Sequence, residues 1–244
     1  MKYFYVLIFS ILLSISYTSN ATHFAGGHIT YTCLSGSSYE ITLTYYRDCS
    51  GVSAPSTALV QFECSSNSSL NFNSALSPVS GTGVEVTQSC SSVPTTCAGG
   101  SVYGIQEYVY KGTVNLPPCN SWEISHTGAG RAPVTTVSSP FAGSSYVIKS
   151  YLNNQQVSSN SSPQFTNRTD IVLCQGQQYC IDYGVVDSDG DSLAYSFYTP
   201  FVDSTSVNII TYQPPYSAMN FLNSSPPITL DPQLGDLCFT PLSS

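Results

Sequence analysis

Tyr39-Glu40-Ile41-Thr42-Leu43-Thr44-Tyr45-Tyr46-Arg47-Asp48 alternates: Ile41, Leu43 and Tyr45 fall on one side of an extended chain, with Thr42, Thr44 and Tyr46 on the other. A period of two, built from β-branched and aromatic residues, predicts a strand buried on one face. The pattern recurs at Ala58, Val60, Phe62 and Cys64, and less cleanly over residues 107–116 and 144–152. Turn chemistry separates these runs, at Ser35-Gly36-Ser37, Ser50-Gly51, Gly81-Thr82-Gly83, Ala98-Gly99-Gly100 and Pro117-Pro118. No stretch reads as a capped amphipathic helix. Each such strand offers one apolar face that only a second sheet can cover, so the expectation is an all-β chain of antiparallel, Ig-like β-sandwich domains with Greek-key connections.

A length of 244 residues with 41% hydrophobic content accommodates two such domains in tandem. Residues 153–163, rich in Asn, Gln and Ser, read as the linker between an N-terminal β-sandwich over 22–152 and a second over 164–244. Strands of the second unit are expected at 171–174, 179–186, 192–197, 208–212, 228–230 and 237–240. Residues 1–21 have the layout of a secretory signal peptide: Lys2, an apolar run over 4–15, and the small-residue site Ser19-Asn20-Ala21. That run is shorter than the roughly 20 apolar residues a spanning helix needs, so export to the medium or outer cell surface is expected, without membrane insertion.

Export permits disulfides, and the nine cysteines (33, 49, 64, 90, 97, 119, 174, 180 and 238) read as bridge formers, with at least one left over. Cys90 with Cys97, and Cys174 with Cys180, are close enough in sequence to staple local loops. Cys33 and Cys49 are not partners for each other: with a hairpin turn at 35–38, Cys49 lies roughly 30 Å along the strand from the position facing Cys33. The net charge of −8 argues against nucleic acid or anionic lipid as a partner. From residue 160 onward eight Asp face one base, Arg168.

Within that acidic half, Asp187-Ser188-Asp189-Gly190-Asp191 places three carboxylates at alternate positions around a glycine, a donor set suited to Ca²⁺. The same residues equally suit a tight Asp-Gly turn with solvated carboxylates. Trp122 and Tyr110, with Tyr198 and Tyr216, are candidate aromatic platforms for a sugar ring, against the ordinary use of Tyr in strands. His23 and His28 lack the spacing of a helical zinc site, and His126 has no Gly-x-Ser-x-Gly nucleophile turn to serve. Gly128-Ala129-Gly130-Arg131 lacks the Lys-Ser/Thr of a phosphate loop. An enzyme is therefore not expected.

Two stretches carry a resemblance. Ala21-Thr22-His23-Phe24-Ala25-Gly26-Gly27-His28-Ile29-Thr30-Tyr31, followed by residues 39–49, resembles the mature start of large secreted PKD/adhesin-like proteins of gliding bacteria, exported by type IX secretion. Asn160-Ser161-Ser162-Pro163-Gln164-Phe165, with residues 180–197, resembles the cadherin-like or bacterial Ig-like domains that follow in such proteins. His28 stands where that pattern has an acidic residue, and the chain stops at Ser244, where one more strand is expected. The resemblance implies a non-catalytic surface module of a larger chain, acting in gliding-associated adhesion or surface architecture on glycans or proteins, with a carbohydrate-binding module as the alternative.

Overall fold

The computed structural model describes residues 24–87, 93–131, 134–138, 145–157, 159–167, 173–202 and 208–242; the signal-like segment, His23 and Cys90 lie outside them. The described chain is all-β. Eight strands form the N-terminal sheet: β1 (Phe24–Ser35), β2 (Ser38–Asp48), β3 (Ala58–Cys64), β4 (Phe72–Pro78), β5 (Val84–Glu85), β6 (Ile105–Asn115), β7 (Trp122–Gly128) and β8 (Tyr146–Leu152). Their order across the sheet is β1-β2-β6-β4-β3-β7-β8, every pair antiparallel, with β5 added to β6. Gly36, at φ 54°, turns β1 into β2, and β2 runs against β6 in unbroken register from Ser38–Asn115 to Asp48–Ile105.

One strand turns the corner. Residues 72–76 of β4 pair with β3, whereas Ser77 and Pro78 pair with Lys111 and Tyr110 of β6, so β4 joins the two faces. At the other end the faces nearly close: Phe24 N–H donates to Gly130 O (2.8 Å), and the Phe24 ring stacks on Tyr146 of β8 at 3.6 Å. Gly27 permits this approach, because a Cβ there would sit 2.5 Å from Thr44 O and 3.0 Å from Ile148 Cδ1.

The alternating residues fill the interior as their sequence requires. Ile41, Leu43, Val60, Phe62, Leu76, Ile124 and Leu152 are buried together with Tyr39, Tyr110 and Trp122. The buried aromatics keep their polar ends satisfied, Trp122 Nε1–H donating to Pro117 O (3.0 Å) and Tyr110 O–H to Pro55 O (2.7 Å).

Disulfides join distant parts of the chain instead of cysteines near in sequence. Cys49 bonds Cys97, Cys64 bonds Cys119, and Cys180 bonds Cys238, across sequence separations of 48, 55 and 58 residues. The local staples read from sequence are therefore corrected: Cys97 is taken by Cys49, Cys180 by Cys238, and Cys174 is an exposed thiol. The reason is ladder geometry. Cys180 and Cys238 face each other on paired strands, and Cys49 N–H donates to Gly104 O, which brings the end of β2 beside the 3-10 turn at Thr96–Ala98. Each closed loop contributes on the order of 4 kcal/mol in the chain-entropy account.

The C-terminal segment forms two small antiparallel sheets. β10 (Tyr179–Ile181), β13 (Leu237–Phe239) and β12 (Thr229–Leu230) make one, and β9 (Gln164–Phe165) pairs with β11 (Val185–Val186) in the other. The strand expected over 179–186 is split at Asp182, whose Oδ1 accepts the Gly184 N–H (2.7 Å) with Gly184 at φ 57°. Residues 192–197 form no strand, and Ile209 and Tyr212 make single bridges. Ile228, Leu237 and Phe239 form a second, smaller core.

The facing of β3 gives a direct test of register. Phe62→Ala should cost about 3–5 kcal/mol in urea unfolding, and Leu59→Ala, three positions earlier on the outer face and 53% exposed, should stay within about 0.5 kcal/mol.

Candidate functional site at the junction of the two sheets

The Asn/Gln/Ser-rich segment over 153–163 is pinned to the N-terminal sheet at both ends. Asn154 is buried: its Oδ1 accepts Cys119 N–H (2.8 Å) and its Nδ2 donates to Leu116 O (2.8 Å). Farther on, Ser162 lies along the outer edge of β1. Ser162 N–H donates to Tyr31 O (2.9 Å), Tyr31 N–H donates to Ser162 Oγ (2.9 Å), and Cys33 N–H donates to Ser161 Oγ (3.2 Å). Two serines thus supply the partners a neighbouring strand would give.

The acidic loop meets this seam. Asp189 Oδ2 accepts Ser161 N–H (2.6 Å), while Asp187 Oδ1 accepts the backbone N–H groups of Asp189 (2.9 Å) and Asp191 (3.1 Å). Gly190, at φ 84°, completes the turn. Burial, with Tyr39 and the nearby Asp187 and Asp189 charges adding to it, pushes the Tyr31 hydroxyl up to about 12. Among the described residues, no three His, Cys, Asp or Glu side chains converge as a metal-holding group.

Two further contacts tie the units. His28 of β1 packs on Phe165 of β9 with ring centroids 4.5 Å apart, beside a cavity of about 270 Å³ lined by Gly26, Gly27, Tyr46 and Tyr183. On the other side, Ser138 N–H donates to Thr211 O (2.8 Å) and Gln213 N–H to Thr136 O (3.0 Å), flanking a Val137–Tyr212 bridge.

Trp122 and Tyr110 are fully buried and present no ring to solvent, which corrects their assignment as a sugar platform. Trp122 shares the inward face of β7 with Ile124 and His126, an alternation visible in Trp122-Glu123-Ile124-Ser125-His126. The exposed aromatic surface lies elsewhere. Tyr151 is 56% and Tyr198 71% exposed, and they line a cavity of about 400 Å³ with Lys149, Pro200 and Phe201. Glu123 holds two of these lining side chains, accepting from Lys149 Nζ (2.6 Å) and from Tyr151 O–H (3.2 Å). Tyr198 was readable as a candidate, whereas Phe201 joins Tyr151 only through the tertiary arrangement.

The comparisons add no relative: no family model matches the chain, and neither a curated protein nor a solved structure is significantly similar to it. His126 serves the core. Its Nδ1–H donates to Leu59 O (2.7 Å), leaving Nε2 to accept from the Tyr146 hydroxyl (3.3 Å), and burial lowers its pKa. No helix among the described residues is long and apolar enough to cross a membrane.

His28 makes the junction sensitive to acid. Burial lowers its pKa from 6.5 to about 4, so the folded chain holds it neutral where the unfolded chain binds a proton. Between those values the unfolded state binds more protons, so this contribution is complete above about pH 6.5 and is lost as pH falls toward 4. The melting temperature of the wild type should therefore drop more between pH 7 and 4.5 than that of His28→Gln, a difference read by thermal scans at both pH values.

Proposed function

We propose that this chain is a non-catalytic extracellular or cell-surface module of a larger adhesin-like protein, acting in adhesion or surface architecture. The observation that carries the reading is the seam at Tyr31, Ser161, Ser162 and Asp189, which makes the connection between the two sheet units a hydrogen-bonded joint. A stiff joint holds a binding surface at a fixed attitude and transmits load. Three disulfides support an oxidising destination, and the signal-like residues 1–21 support export. In this reading the units are tandem Ig-like sandwiches, the second cadherin-like, as in the adhesin-like proteins of gliding bacteria. The partners are surface glycans or proteins.

Ca²⁺ is the ion the acidic loop would take. Asp187, Asp189 and Asp191 would hold it, and the ion would stiffen the loop over the seam. Calorimetric titration should give heat and a higher melting temperature; neither effect appearing would remove Ca²⁺ from the reading.

A carbohydrate-binding reading is favoured by one observation, the exposed Tyr151 and Tyr198 rings beside the hydrogen-bonding Glu123 and Lys149. Beads coated with the chain should be retained on a glycan-coated surface under flow more than albumin-coated beads. Loss of that retention in Tyr151→Ala/Tyr198→Ala assigns it to this platform, and retention unchanged by the double substitution assigns it to another face. Retention no better than albumin would contradict the carbohydrate-binding reading, and release of cleaved glycan into the flow would contradict a non-catalytic module.

A further inference from the structure

A second cleft, of about 370 Å³, lies where Arg131, Val134, Thr136 and Val137 meet the C-terminal segment. Its walls are apolar and aromatic: Val137, Phe197, Ile210, Tyr212 and Phe221, with Tyr198 at one side. Arg131 and Thr136 are its polar exceptions that lack full satisfaction. Arg131 Nη2 donates to Phe201 O (2.8 Å), but its Nε is buried without a hydrogen-bond partner among the described residues, and so is Thr136 Oγ1. No acidic side chain lines the cleft, and no described carboxylate forms an ion pair with Arg131.

This arrangement is not forced by a shortage of acids, since the chain has 14 Asp and Glu against 6 Lys and Arg. A guanidinium stays charged in proteins, and a charge withdrawn from water is unfavourable unless paired. Buried polar groups without partners are rare in folded proteins and mark a place where a partner is to be sought. Burial already pushes the Arg131 pKa below its ordinary value, the sign of an incompletely compensated cation. The guanidinium fork matches a carboxylate, with which it forms two parallel hydrogen bonds.

We propose that the cleft binds a small monocarboxylate carried on an aromatic body, with Arg131 holding the carboxylate, the Thr136 hydroxyl donating to it, and Phe197, Tyr212 and Phe221 enclosing the ring. The single positive charge matches one negative charge, and the aromatic walls match an apolar body better than a hydrated one. The volume is at the lower end of the usual range for small-ligand pockets, about 300–1,000 Å³, which favours a compact ligand.

The test is calorimetric titration of the full chain with 3-phenylpropionate and with its neutral isostere, 3-phenylpropionamide. The acid should bind at least about tenfold more tightly than the amide, Thr136→Val should weaken the acid several-fold, and Arg131→Met should abolish the preference. Equal affinity for acid and amide, no binding of the acid, or a preference that survives Arg131→Met overturns the proposal. Should Arg131→Met fail to fold, the acid-to-amide ratio of the wild type and the Thr136→Val effect decide alone. Tyr198 borders both cavities and is left unchanged in this titration, so the outcome rests on Arg131 and Thr136, neither of which the retention experiment alters.

Discussion

A β-strand has two rows of backbone donors and acceptors, and β1 spends only one of them on β2. The other row faces outward at the end of the sheet, where an unpaired edge would be a template for aggregation. Gly130 satisfies it at Phe24, and Ser162 and Ser161 satisfy it at Tyr31 and Cys33. The rest of the molecule follows from that requirement. Asn154, Ser161 and Ser162 anchor the connection to the sheet, and this delivers β9 and the acidic loop to fixed positions against the N-terminal unit.

The joint draws on modest terms that act together. Each neutral hydrogen bond along the seam contributes about 0.5–1.5 kcal/mol net, and leaving a buried partner unmade costs more. The Asp189 bond to Ser161 is charge-assisted and stronger. The contact of His28 with Phe165 adds apolar burial on one side of the seam, and the Val137–Tyr212 bridge adds a second line of backbone contacts on the other. Separation at several points at once would be needed to free the units. The cleft at Arg131 and the aromatic surface at Tyr151 and Tyr198 both depend on that arrangement, since each is built from residues of both segments.

Much of the N-terminal sheet is legible in the chain because alternation leaves one solution. Ile41, Leu43 and Tyr45, and likewise Val60 and Phe62, are buried as their spacing demands. Trp122 belongs to the same alternation, and its place on β7 turns the ring into the core whatever its aromatic character suggests. Cysteine pairing was not legible, because it depends on which strands adjoin: β4 changes partner midway, and no local pattern says so. The segment over 153–163 reads as a linker by composition, yet the same small hydroxyl side chains that suit a linker also suit an edge that lacks a strand. The C-terminal ladders are short because Asp182 and Gly184 interrupt the run over 179–186, a turn signal hidden among strand-forming residues.

The seam along β1 is tested most directly by native-state amide hydrogen exchange read residue by residue. If Ser161 and Ser162 close the edge, the amides of Tyr31, Cys33 and Ser162 exchange at least about a hundredfold more slowly than unstructured amides and respond to denaturant together. If those amides exchange at the rate of an open loop while Ile41 and Leu43 stay protected, the joint does not exist and the two sheet units move independently.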